Sequence, residues 1–299
     1  MSKIMRLAVI AGGLLGAIAA PMAAAAQQVN WKMHHIWVPG RSEAKLFDRF
    51  AERIAEKSGG RFVVKVFGGG TLGLKDVDIL RTLPTGTVEM AAIYPGYLSR
   101  DAPDIASLYV QGAIINPEEH FRAVDEMREI YTRLYAKYDI PVIGFLQPPL
   151  YLESVVCRDT PVQTMEQLKG KKLRVWSRDM VQSFNKLGVA AQIVPQNDLY
   201  LAMQTGVIDC AIYSPSSLKT ISLQEVAKFS SYLYPLAGAP YAIIVNKKAW
   251  TALPPDLQKV ATEAADWVFA ESKKEAIDTI SPAVVAELST VGHKVLPPF

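Results

Sequence analysis

Downstream of residue 28 the chain switches between two hydrophobic periods. Residues 29–37 alternate apolar and polar and predict a strand. Residues 42–58 place Leu46, Phe47, Phe50 and Ile54 on one face with polar residues between, the period of an amphipathic helix, and Gly59-Gly60 stops it. A second strand is predicted over 61–67, a turn at Gly68-Gly69-Gly70, a helix over about 74–83 and a strand over 88–94. This β-α-β rhythm predicts a mostly parallel sheet covered by helices. A long helix over 117–138, a strand over 142–146 and a break at Pro148-Pro149 lead to another strand over 151–156.

The plan then repeats. Helices are predicted over 165–168, 180–187 and 199–203, alternating with strands over 172–176, 191–194 and 207–213. Residues 85–95 and 205–215 also echo each other in sequence. Both read Thr-Gly, then an aliphatic-acid-aliphatic strand, then tyrosine near proline. Two lobes on one plan would set a tyrosine at the carboxyl end of a strand in each, the end where open α/β sheets bind ligands. A strand over 241–246, a long helix from Asp256 toward Ile280, an interruption at Pro282 and a helix over 283–288 complete the reading.

The first residues follow neither period. Lys3 and Arg6 make a basic start, an apolar Ala/Gly/Leu-rich run covers 7–20, Pro21 breaks it, and Ala24-Ala25-Ala26 supplies a small-residue cleavage site. That order defines a secretory signal peptide over 1–26, with Gln27 as the expected mature start. The rival, a retained membrane anchor, needs a core of about 20 apolar residues that this run lacks. No later segment reaches that length, so no direct membrane insertion of the mature chain is expected. The leader holds two basic residues and no acid, so its loss takes the formal charge from +3 to +1. Basic residues are scattered among acids, and no nucleic acid partner is expected.

Export places Cys157 and Cys210 in an oxidising compartment. Each sits in an apolar, strand-like run, which predicts two buried free thiols; spacing alone cannot bring their Cα atoms within the roughly 7 Å that pairing requires.

Signals for an enzyme are weak. No G-x-S-x-G elbow is present, and the glycine run at 68–70 lacks the Lys-Ser/Thr of a phosphate-binding loop. His34 and His35 are adjacent in a strand and point to opposite faces, so they would not chelate one metal. His120 and His293 read as surface residues. No cofactor and no metal are expected. Arg174 is different, a single charge within the apolar run Leu173-Arg174-Val175-Trp176. Its planar fork matches a carboxylate. A solvated edge position and an internal pair with an acid are the competing accounts.

Six short stretches together resemble one family. Ser58-Gly59-Gly60-Arg61 with Gly70-Thr71-Leu72-Gly73, the stretch Thr85-Gly86-Thr87-Val88-Glu89-Met90, the stretch Leu168-Lys169-Gly170-Lys171-Lys172-Leu173-Arg174-Val175, and the run from Leu199 to Asp209 with Leu253-Pro254-Pro255-Asp256 are similar, in order and spacing, to the solute-binding proteins of tripartite ATP-independent periplasmic (TRAP) transporters. The resemblance implies the type II periplasmic-binding-protein fold, two α/β lobes joined by hinge strands and a long helix. Lobe I would comprise 27–151 plus 238–278, and lobe II 152–237 plus 279–299. It implies a periplasmic subunit that captures a small organic acid and hands it to TRAP membrane permease subunits driven by an ion gradient. The family arginine that pairs with the ligand carboxylate falls on Arg174.

Departures from the family pattern carry the ligand expectation. Some members have a second arginine in the strand entering the second lobe, where this chain has Ser154 beside Glu153. Aromatic residues stand at other pocket positions: Trp37, Tyr94, Trp176 and Tyr213. One arginine among aromatic faces predicts a monocarboxylate with an apolar or aromatic body. A sensor presenting the closed form to a receptor is the alternative, and an exported enzyme the distant one. The family also continues for a further helical segment beyond the point where this chain ends.

Overall fold

The computed structural model describes residues 28–296 except 111–112, 115–116, 149–150, 237 and 276–281; the side chains of 117, 151–153, 232–236 and 282–283 also lie outside the described residues, as does the predicted leader. In chain order the elements are β1 (Val29–His34), α1 (Ser42–Lys57), β2 (Phe62–Phe67), α2 (Ile79–Thr82), β3 (Met90–Ile93), α3 (Pro103–Ala106), α4 (Pro117–Ala136) and β4 (Val142–Leu146). There follow β5 (Tyr151–Cys157), α5 (Met165–Lys169), β6 (Lys172–Val175), α6 (Arg178–Lys186), β7 (Ala190–Ile193), α7 (Leu199–Gln204), β8 (Cys210–Tyr213) and β9 (Phe229–Leu236). The chain ends with β10 (Tyr241–Val245), α8 (Lys247–Ala252), α9 (Pro255–Glu275), α10 (Pro282–Thr290) and β11 (Lys294–Leu296).

These elements make two sheets. One has the order β2-β1-β3-β10-β4 and the other β11-β9-β5-β8-β6-β7. Read from the β7 edge, the second repeats the order of the first, with β11 added outside. Each lobe therefore has the same wiring, and the chain passes from the first sheet to the second after β4 and returns after β9.

The sheets are mixed rather than mostly parallel. β1 pairs in parallel with β2 and β3, and β6 with β7 and β8. β10 runs antiparallel to β3 and β4, and β5 antiparallel to β8 and β9. The cause is the crossing: β10 and β5 each enter their sheet on arriving from the other lobe, so neither is bound by the local crossover that keeps β-α-β strands parallel. β9, with its serines and Pro235, and the six-residue α8 have no counterpart among the predicted elements.

Helix α1 buries the predicted stripe Leu46, Phe47, Phe50 and Ile54 against the first sheet. Full burial of such side chains stabilises by roughly 1.5–3 kcal/mol each. Helix α9 lies across the same layer. A Cβ on Gly144 of β4 would stand 2.3 Å from that of Ala265, so only glycine permits this approach. In the second sheet Val155 and Val156 enter cores on opposite faces, as neighbours on a strand must. Among the described residues no helix is long and apolar enough to cross a membrane.

The sequence echo is also structural. Gly86 and Gly206 both turn the chain with positive φ, 78° and 75°. The Glu89 carboxylate then accepts from the Lys32 amide at 2.8 Å, and the Asp209 carboxylate from the Lys172 amide at 2.9 Å. Each acid satisfies an amide of the central strand one residue before its neighbour begins to pair.

Three sequence expectations are corrected here. Cys157 and Cys210 form a disulfide, Cα to Cα 4.1 Å, because β5 and β8 bring them directly opposite each other. His120 is buried, its Nδ1 3.4 Å from the Tyr109 hydroxyl. His293 is buried as well, between the Ala227 carbonyl at 2.9 Å and Ser230 Oγ at 3.0 Å. Both histidines sit where a helix or strand packs onto the rest of its lobe, so they are held inside rather than left in solvent.

Candidate functional site

The carboxyl ends of β3, β6 and β8 and the segments after β1 and before α1 meet between the lobes. Arg174, on β6, is 2% exposed and lies between β7 and β8 rather than at an edge. Its Nε donates to the Val194 carbonyl at 2.8 Å and its Nη1 to the Ile212 carbonyl at 3.1 Å. These two bonds fix the plane of the guanidinium, whose carbon stands 5.5 Å from the centre of the Trp176 ring.

The predicted aromatic residues are brought together in a chain of contacts. Trp37 packs against Tyr241 with tilted rings 4.2 Å apart between centroids, Tyr241 meets Tyr94 edge-on at 5.9 Å, and Trp176 Nε1 donates to the Tyr94 hydroxyl at 3.3 Å. That last bond joins the two lobes. Tyr213 stands opposite Ser154 in the β5–β8 register, and both are buried. Glu153 occupies the next position of β5, and its side chain lies outside the described residues.

Sequence reasoning missed Arg41 and Glu43. Both are buried, and Glu43 grips the guanidinium with both oxygens, at 3.1 Å from Nε and 2.6 Å from Nη2. The remaining Nη1 donates to the Tyr213 hydroxyl at 3.4 Å, a second contact between the lobes, and Tyr213 donates onward to Gln196 Oε1 at 3.5 Å. Arg-Ser-Glu before a helix reads as an ordinary exposed helix start; the available clue was its place just after the carboxyl end of β1, where such sheets bind ligands. Tyr97 and Tyr241 were missed too, since tyrosine in an apolar segment is ordinarily core.

The electrostatics tie these groups into one site. Burial pushes the Tyr97 phenol up to about 12; Arg174 and Arg41 pull it down, whereas Asp76 and Tyr213 raise it further. Burial likewise raises Tyr213, opposed by Arg41 and Arg174. Both hydroxyls are therefore protonated donors at neutral pH. Burial also lowers the His35 imidazole to about 4, helped by His34 beside it and opposed by Glu43.

Two similar lobes, joined by crossing strands and facing each other across aromatic rings and a buried arginine, define a receptor for a small solute. The chain belongs to the bacterial extracellular solute-binding proteins, family 7, whose model matches residues 33–297. The C4-dicarboxylate-binding periplasmic protein DctP of Rhodobacter capsulatus is 27% identical over 279 residues, covering 89% of this chain and 82% of that one. Among solved structures, the fold is similar to DctP7 of Bordetella pertussis, an extracytoplasmic solute receptor binding pyroglutamic acid, with TM-score 0.79 and 19% identity over 91% of this chain and 88% of that one. A TRAP periplasmic solute-binding protein of Sulfurospirillum deleyianum with bound succinate is similar at TM-score 0.80 and 20% identity, covering 91% and 89%. The protein is a solute receptor of this family, not an enzyme.

Proposed function

We propose that this chain, exported by the leader over 1–26, captures an organic monocarboxylate with an apolar or aromatic body in the periplasm and delivers it to TRAP permease subunits. The observation that carries the reading is Arg174, buried at the carboxyl end of β6 with its fork oriented by two carbonyls and a tryptophan beside it. It serves as the anchor of the carboxylate. Trp37, Tyr94, Trp176 and Tyr213 supply the walls; Ser154 stands opposite Tyr213 in the β5–β8 register, and Glu153 precedes it in β5. Arg41 adds no net charge, because Glu43 takes its fork bidentately. The relatives bind acids of several kinds, from succinate to pyroglutamate, so the choice within acids rests on this chain's own lining. Lobe boundaries near 151 and 238 would fall on the two crossings and suit a hinge closure around the solute, and the boundary at 278 lies outside the described residues.

A thermal-shift screen of aromatic and aliphatic monocarboxylates, dicarboxylates and uronates tests this. At a hundredfold excess over Kd a ligand stabilises by about 2.7 kcal/mol, which raises Tm by roughly 5–10 °C. The expected hits are monocarboxylates with apolar bodies. Larger shifts with succinate or glucuronate would contradict the proposed selectivity.

A further inference from the structure

We infer that His34 and Asp76 form a second polar pole in the first lobe, facing the Arg174 pole, and that the solute carries a hydrogen-bond donor at the end remote from its carboxylate. This rests on the reading of Arg174 as the carboxylate anchor and names what the other end of the solute must be.

The repeated wiring places the two poles. In β1, Met33 and His34 pair with Met90 and Ala91; in β6, Leu173 and Arg174 pair with Cys210 and Ala211. The echoed segments make Met90 equivalent to Cys210 and Ala91 to Ala211, so His34 holds in the first lobe the position of Arg174 in the second. The same holds one loop later. A single 3-10 turn, Asp76–Asp78, leads into α2, and another, Gln196–Asp198, leads into α7. Asp76 is thus the counterpart of Gln196.

All three polar side chains at these positions are more than nine-tenths buried, with His34 at 1%, Asp76 at 5% and Gln196 at 7% exposure. His34 Nε2 and Asp76 Oδ1 are 2.9 Å apart. His34 Nδ1, Asp76 Oδ2 and Gln196 Nε2 find no hydrogen-bond partner among the described residues. Buried polar atoms almost always have one, so each calls for an explanation. The Asp76 turn packs against the turn Pro95–Leu98, which carries Tyr97, and Tyr97 feels the charges of both Asp76 and Arg174. The turn Pro95–Leu98 follows the carboxyl end of β3, so Asp76 lies at the end of its sheet that corresponds to the Arg174 end of the second.

The atoms without partners have opposite character in the two lobes. In the tautomer that donates Nε2–H to Asp76, His34 presents Nδ1 as an acceptor; burial raises the Asp76 carboxyl and His34 lowers it, and in its ionised form Oδ2 is an acceptor too. In the second lobe the Tyr213 hydroxyl accepts from Arg41 and donates to Gln196 Oε1, which leaves Gln196 Nε2 as a donor. Acceptors in one lobe and donors in the other match a solute with a carboxylate at one end and a hydroxyl, amide N–H or similar donor at the other. A second carboxylate at the far end would meet two acceptors and is disfavoured.

Calorimetry on paired probes tests this, using phenylacetate with 4-hydroxyphenylacetate, hexanoate with 6-hydroxyhexanoate, and 1,4-phenylenediacetate. In the wild type the hydroxylated member of the pair that fits should bind about tenfold tighter or more, in line with a hydrogen bond to a charged acceptor. Asp76→Asn should cut that ratio to within about threefold. His34→Gln, checked for folding by its thermal transition, should lower the ratio as well. Equal affinity within both pairs, an undiminished ratio in both variants, or tightest binding of the diacid overturns the inference while leaving Arg174 as anchor. Failure of every acid to bind overturns the carboxylate reading and this inference with it.

Discussion

Arg174 and Arg41 both reach the cleft, and their surroundings give them different work. Arg41 is gripped by Glu43 and holds Tyr213 in place, so truncating either partner would strand a buried charge. Arg174 is oriented through carbonyl dipoles at the mouth of β6. His35, packed on Phe47 at 5.2 Å and beside Trp37, answers to pH instead. Its folded-state pKa, lowered chiefly by burial to about 4, lies below the 6.5 of a free imidazole. As pH falls through that window the unfolded chain takes up the proton first, so stability present above pH 6.5 is lost progressively down to about pH 4. The loss from this residue is roughly 2–3 kcal/mol. Urea unfolding at pH 7 and 4.5 should show it, and His35→Phe should flatten the slope; superimposable slopes would rule the account out. Arg174 could be picked out in the sequence because a lone charge interrupts an apolar strand. Arg41, Glu43 and Asp76 could not, since each sits in a polar run that looks the same whether it faces solvent or a cleft.

At the level of elements, the disulfide shows where one-dimensional reasoning stops. Cys157 and Cys210 are 53 residues apart and lie in apolar strands, which speaks equally for buried thiols. Only the antiparallel entry of β5 beside β8 sets them face to face, at the opposite end of the ladder from the Ser154–Tyr213 pair. On the chain-entropy account, closing a loop of this length stabilises by about 4 kcal/mol. The double change Cys157→Ser and Cys210→Ser should therefore lower unfolding stability by about that amount, read from denaturant midpoints; an unchanged midpoint would show that the bond contributes nothing. Most strands and helices were legible from their periods, α1 and β4 almost to the residue. Strand direction was not, because a hydrophobic pattern records which face is buried and not which neighbour the strand meets.

For the whole molecule, the internal echo was legible as similarity, and its meaning came from topology. One strand order serves both lobes, and from it follow both the cleft and the equivalence of His34 with Arg174. Contacts from Trp176 to Tyr94 and from Arg41 to Tyr213 hold the lobes together around that cleft. Closing over a solute would exclude water there and strengthen its pairing with Arg174. The most direct test is calorimetric titration of the best-stabilising acid into the wild type, Arg174→Lys and Arg174→Ala. The alanine variant should lose roughly 2–5 kcal/mol of binding, and the lysine variant should bind clearly more weakly, since a point charge cannot replace the fork. Unchanged affinity in both variants would contradict the anchor role of Arg174.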